Sequence, residues 1–211
     1  LGVVAPGKLI DQMRQTTRFL EKREGLAAVA FLSTDAKADW EDFKSSGLSP
    51  DEIFHFRRPV PLPDGRQTEA EVDVVIVASP WPMMQFFVSQ QHVPEAIWVK
   101  EWQTHPNGAE AIEAITIVSA MPADFVEFFS RLFGRDAVIT GPSGELTVRT
   151  PNGAIEVLPP TMFQDQYGSA PCIELPCIAG AEIRVASLET LAAILRREGV
   201  RYTSREGAVL I

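Results

Sequence analysis

Histidine is scarce in this chain, with only three copies, and each stands among other chemistry-bearing residues. His92 follows the run QFFVSQQ, and Glu95 comes three residues later. An imidazole nitrogen and a carboxylate oxygen together suit Mn, Fe or Zn, so His92 and Glu95 read as candidate metal ligands. His92 alone also offers an acid–base group that titrates near neutrality. The plainer alternatives are a histidine bonded to loop backbone and a solvated carboxylate. His105 opens a Pro-Asn-Gly turn, as a turn histidine or a ligand contact. His55, inside FHFRR, reads as a core or rim histidine between aromatic rings. Beside it, Arg57 and Arg58 could grip a carboxylate bidentately or sit free on the surface. Trp98 and Trp102 either wall an apolar ligand or cover a seam between domains.

Other chemistries lack their motifs. There is no G-x-S-x-G nucleophile elbow, and GPSG and PDG are turns rather than phosphate loops. Cys172 and Cys177 are too widely spaced, and too alone, for a zinc site. They read as two apolar free thiols, which fits a reduced, cytoplasmic setting. The net charge of −9 comes without a basic stripe, which disfavours nucleic acid and anionic membrane surfaces. No apolar run approaches the roughly 18 residues that span a bilayer, and no signal-peptide pattern is seen.

These residues must be held by regular elements, and one unit recurs. It is an apolar run, a Ser/Asp/Pro-type helix start, an amphipathic stretch and a glycine. The copies are Leu26 to Gly47, Glu113 to Gly134 and Gly180 to Gly199. Repetition of this kind sets the fold before any single motif does. Ahead of the first copy, Lys8 to Arg23 has helical spacing. After its helix come strand signals at Ile53 to Phe56, Glu71 to Ser79 and Gln85 to Gln91, with a PVPLPDG connector. After the second helix come Ala137 to Thr140, Leu146 to Arg149 and Ile155 to Leu158, the last pair joined by Asn152-Gly153. The third copy gives Glu182 to Val185, a helix over Leu188 to Arg197, then Arg201 to Thr203 and a strand near Ala208. The order is β-α-β-β-β, which leaves one sheet face free to enclose a small-molecule cleft.

The stretch from Phe86 to Ala109 carries a resemblance. Gln91-His92, Pro94-Glu95, Trp98 and His105-Pro106-Asn107-Gly108-Ala109 stand in the order found between domains of glyoxalase-like proteins of the vicinal oxygen chelate superfamily. The PDG turn at Pro63 to Gly65, with Arg57 and Arg58 before it, looks similar. The resemblance implies paired βαβββ modules and, in many relatives, a divalent metal held by His and Glu on first and last strands. The first strands here, AAVAFL, AITIVS and EIRVAS, carry no histidine.

The resulting expectation is an α+β fold of paired βαβββ modules, whose curved mixed sheets surround a cleft, with incomplete terminal modules. The first half spans residues 1–104 and the second 105–211. The expected function is a small-molecule enzyme: a metal-dependent lyase, isomerase or dioxygenase acting on vicinal oxygens, with Zn, Fe, Mn or Ni as cofactor. The alternative is a metal-free small-ligand-binding protein using the same cleft. Expected ligand contacts are Arg57, Trp98, Trp102 and His105, and expected metal ligands are His92 and Glu95. A homodimer, or completion of the modules by another chain, is the expected association, since open strand edges invite pairing.

Overall fold

The structure is a computed structural model that describes residues 16–170 and 174–211. Most of the expected Lys8–Arg23 helix lies outside the described residues; helix is seen over residues 16–22.

The first module is β1 (Ala28–Ser33), α1 (Ala36–Ser45), β2 (Phe54–Pro61), β3 (Gln67–Val77) and β4 (Gln85–Gln91). Its sheet runs β1-β4-β3-β2, with β1 parallel to β4 and the other pairs antiparallel. α1 starts where Asp35 accepts from the backbone N–H of Lys37 and Ala38, satisfying two orphan donors of the first turn. The Gln90 side chain ties the same helix start to β4: its Oε1 accepts from Ala36 N–H and its Nε2 donates to Thr34 O, both at 2.9 Å. β2 is longer than the IFHF run because Pro59 and Pro61 are tolerated on an edge strand.

The second module repeats the plan with β5 (Ala109–Val118), α2 (Asp124–Phe133), β6 (Val138–Thr140), β7 (Leu146–Thr150) and β8 (Gly153–Leu158). Here β5 is parallel to β8, and the order is β6-β7-β8-β5. Gly153 is required at the start of β8, where an added Cβ would come within 2.8 Å of the Glu113 carbonyl oxygen. An unpredicted helix, α3 (Pro160–Tyr167), follows. The third copy contributes β9 (Cys177–Val185), α4 (Leu188–Arg197) and the hairpin β10 (Thr203–Arg205)–β11 (Ala208–Leu210). β9 pairs antiparallel with β5, so the first strands of two copies lie side by side in one five-stranded sheet.

The expected α+β arrangement of βαβββ modules is therefore present. Cys177 is not the free thiol expected. Cys177 is disulfide-bonded and fully buried, and no described cysteine is free. The only other cysteine in the sequence, Cys172, lies outside the described residues. A disulfide-bonded Cys177 gives no sign of a reduced compartment. Among the described residues, no helix is long and apolar enough to cross a membrane.

One apolar core joins the two modules. Val29, Val75, Val77, Phe86 and Val88 of the first sheet pack with Phe43 of α1, with Phe125, Phe128 and Phe129 of α2, and with Ile117, Ile155 and Val157 of the second sheet. Trp81 stacks on Phe125 with ring centroids 3.7 Å apart, and Phe86 meets Phe129 edge to face at 5.6 Å. This core crosses the 104/105 boundary. Strand alternation sorts the other residues into a core face and a far face on each sheet.

Phe129 is fully buried at the centre of this cluster. Phe129→Ala should cost about 3–5 kcal/mol through lost burial and a residual cavity. Chemical denaturation should show one shared transition moving to lower denaturant for both sheets. Two separated transitions would contradict a common core.

Candidate functional site

Two polar clusters stand out, one on each sheet. The first gathers on β2, β3 and the end of β4. His55 and Asp73 are directly opposed cross-strand partners. His92 follows β4 and continues the ladder, its N–H donating to Glu71 O. Asp73 lies between the two rings. His55 Nδ1 is 2.6 Å from Oδ1, and His92 Nε2 is 2.9 Å from Oδ2. The ring centroids are 6.2 Å apart. The ligand atoms of His55, Asp73 and His92 all lie within 4.8 Å of one another, the only such group among the described residues. On the other side of His55, Nε2 is 3.6 Å from Glu71 Oε1, which accepts from Arg57 Nη2 at 2.7 Å. Burial alone would raise the Asp73 carboxyl, but the hydrogen bonds and charges of His55 and His92 outweigh it and hold the group below the usual range.

His55, Asp73 and His92 share strand parity with Val75, Val77, Phe86 and Val88, so they lie on the core face of the first sheet. They sit past the α1 start, where the helix no longer covers the sheet. Side-chain exposure of 47%, 22% and 33% respectively keeps them reachable from solvent.

The second cluster lies on the far face of the second sheet. Thr116 of β5 pairs in register with Glu156 of β8, and Glu182 of β9 sits opposite Ala114 of β5. Tyr167, at the end of α3, donates to Glu182 Oε1 at 2.8 Å, and its hydroxyl is 3.3 Å from Thr116 Oγ1. Burial, with Glu182 and Glu156 nearby, pushes the Tyr167 hydroxyl up to about 12, so it stays protonated. The Glu156 carboxyl is also raised, first by burial and then by the charge of Glu182. Its Oε2 is buried with no hydrogen-bond partner, a state few buried polar atoms keep. A cleft of about 600 Å³ opens beside this cluster, lined by Phe163, Tyr167, Glu182 and Ile183 with the β11 segment. A larger groove of about 870 Å³ lies away from both clusters, beside α1 and α2.

Of the sequence candidates, His92 enters the first cluster, and Arg57 braces it through Glu71. Glu95 is exposed in a short 3-10 turn, Pro94–Ala96, and is not in the grouping. Arg58 and His105 are exposed, as are Trp98 and Trp102 at 43% and 44%. His55, Asp73, Glu156, Tyr167 and Glu182 were not picked from sequence as site residues. A faint signal existed for Tyr167: Pro160 at a helix start and Gly168 in the left-handed conformation bracket the helix that carries it.

A carboxyl raised on folding destabilises the fold once pH climbs past its ordinary range, because the folded state disfavours the charged form. Glu156→Gln should therefore raise Tm at pH 7–8, and less so near pH 4, with Glu182 and Tyr167 still facing the site. A gain of about 1 kcal/mol would appear as about 2–4 °C in a thermal melt. A lower Tm at pH 7 than at pH 4, relative to the parent chain, would contradict the raised carboxyl.

Comparisons with known proteins bear on the fold. Comparison with curated protein sequences gives no match. Among solved structures, a hypothetical protein from Staphylococcus aureus superposes with a TM-score of 0.54 at 11% identity, covering 74% of this chain and 64% of that one. The chain thus spans under two thirds of that protein's length, and the likeness shows the fold alone. A lactoylglutathione lyase from Agrobacterium tumefaciens gives a TM-score of 0.32 at 14% identity, covering 67% of this chain and 98% of that one. Residues 1–133 match the family model described as a glyoxalase-like domain. With more than half its length matched, and with the modules arranged as the Gln91–Ala109 block implied, the chain belongs to the glyoxalase-like domain family.

Proposed function

We propose that this chain is a small-molecule enzyme that moves a proton on substrates carrying adjacent oxygens, using the far face of the second sheet. The observation that carries this reading is Glu156: a raised, half-buried carboxyl whose Oε2 has no partner. A carboxylate whose pKa is raised by burial holds a proton more tightly than an ordinary one and so is the stronger base. Thr116 and the neutral Tyr167 supply hydroxyls beside it. In an α-hydroxy carbonyl substrate, Glu156 would take the proton from the hydroxyl-bearing carbon. The electron pair left behind moves into an enediolate, whose charge the hydroxyls meet by hydrogen bonding. The hydroxyl proton passes to the neighbouring oxygen, and return of the first proton to the neighbouring carbon completes an isomerisation.

The metal common in such proteins does not fit this face. Among the described residues it offers two carboxylates and two hydroxyls, no imidazole and no group of three ligands. The competing reading, a metal-free binding protein, is favoured by the same cleft of about 600 Å³.

Solvent exchange separates the two. Incubating the chain in D₂O with a panel of α-hydroxy ketones and aldehydes should place deuterium at the hydroxyl-bearing carbon, read by proton NMR. Glu156→Gln should slow this about 100-fold or more while the fold is retained. Saturable binding without exchange would overturn the enzyme reading in favour of the binding protein. Equal exchange in Glu156→Gln would remove Glu156 from the chemistry.

A further inference from the structure

We infer that His55, Asp73 and His92 form a binding site for one divalent transition-metal ion, on the core face of the first sheet and separate from the Glu156 cluster of the second sheet. The donor set is two imidazole nitrogens and one carboxylate, which suits Zn²⁺, Co²⁺ or Fe²⁺ and is too nitrogen-rich for Ca²⁺ or Mg²⁺. The inference shares no residue with the proposed function and stands independently of it.

Position argues for the site first. His55 and Asp73 come from paired strands, and His92, just past β4, is tied to β3 by its N–H on Glu71 O, so the sheet sets their spacing. Asp73 is 18 residues from His55 and 19 from His92, yet both rings converge on its two oxygens. Strand-borne ligands are held more firmly than ligands on loops.

Distance argues second. Ligand atoms each about 2.0–2.1 Å from a tetrahedral metal lie roughly 3.4 Å apart, and closer at narrower angles. The present separations of 2.6 and 2.9 Å, to the two Asp73 oxygens, need to open by less than about 1 Å, and the two imidazole nitrogens lie within 4.8 Å of each other. A cation replacing the shared protons would satisfy the same three groups.

The surroundings argue third. Histidine ligands of metals commonly direct their second nitrogen to a carboxylate, which fixes the tautomer. His55 does this: with Nδ1 on Asp73, its Nε2 faces Glu71 at 3.6 Å, and Arg57 holds Glu71 at 2.7 Å. Glu69 adds a further carboxylate 3.9 Å from Arg57. The partial exposure of both histidines leaves coordination positions open to water or to a substrate oxygen.

The test uses the full chain, without an affinity tag and after EDTA dialysis. Titration with Co²⁺ should give visible d–d absorption that saturates at one equivalent and is displaced by Zn²⁺. Long-range proton–nitrogen NMR of the imidazoles should show the His55 and His92 nitrogens shifting with Zn²⁺, and those of His105 staying still. His92→Ala should weaken the affinity more than about 100-fold, and Glu71→Gln about 10–100-fold. Circular dichroism checks that each variant is folded. If a variant unfolds, the NMR shifts of the parent chain decide alone. No saturable Co²⁺ signal, shifts confined to His105, or an unchanged affinity in a folded His92→Ala would each overturn the inference.

Discussion

The stacking of Trp81 on Phe125, within the wider cluster of Phe86, Phe128 and Phe129, is the contact on which the rest of the molecule depends. Trp81 sits in the β3–β4 connection of one module, and Phe125 opens the helix of the other. A lone βαβββ unit would bury one side of its helix and leave the other wet. Here α1 and α2 both join the core that links the sheets, so two modest apolar surfaces become one. Aromatic pairs add specificity beyond burial, because their ring geometry constrains how the modules meet. Once the core faces are turned toward each other, chemistry is left the far faces and the uncovered sheet rims. Both polar clusters are found there.

The two clusters solve opposite electrostatic problems. At the rim of the first sheet, Asp73 is partly buried but fully answered by two imidazoles, and its carboxyl is held low. Its neighbours alternate in sign or donor character: Glu71 beside His55, then Arg57 beside Glu71. On the far face of the second sheet, Glu156 faces another carboxylate, Glu182, with a neutral phenol between strands. Among the described residues, no cation offsets its shift. Gln91 Oε1, on the far face of the first sheet, is likewise buried without a partner. Satisfied groups hold the structure together, whereas unanswered acceptors on a cleft face are where a ligand has something to gain.

The repeat was readable in sequence because its signals are local. Asp35 and Ser187 cap their helices, Phe125, Phe128, Phe129 and Leu132 mark one helix face, and the hairpin turns one residue earlier than Asn152-Gly153, at Pro151-Asn152, with Gly153 pairing Thr150. Those features act within a few residues, so spacing alone reveals them. The site residues are set by a longer-range quantity, cross-strand register. Nothing near His55 says that Asp73 will stand opposite it. Sequence nearness instead favoured Glu95 as the partner of His92, but a 3-10 turn carries Glu95 off the strand that His92 extends. Glu156 was hidden for a different reason. In AIEVL it reads as an ordinary polar residue of an alternating strand, and only the packing of α3 and β9 around it makes it half-buried. The helix α3 buries Phe163 alone, so no apolar spacing marks it, which hid Tyr167 as well.

The pairing of β9 with β5 explains why the Glu156 cluster needs two copies of the repeat. β5 is parallel to β8 within its own module and antiparallel to β9 from the next. Thr116 on the shared strand therefore touches both neighbourhoods, facing Glu156 on one side and Gly180 on the other. The β5–β9 ladder shifts register at three places, including between Thr116 and Ile117. Each shift changes which residues share a face, because alternation has a period of two. The shifts bring both Cys177 and Ala179 to the apolar patch under α3 and turn Glu182 toward Tyr167. A perfectly regular ladder would not keep this combination. Duplication supplied the strands, and irregular pairing between copies placed two carboxylates and a phenol on one face.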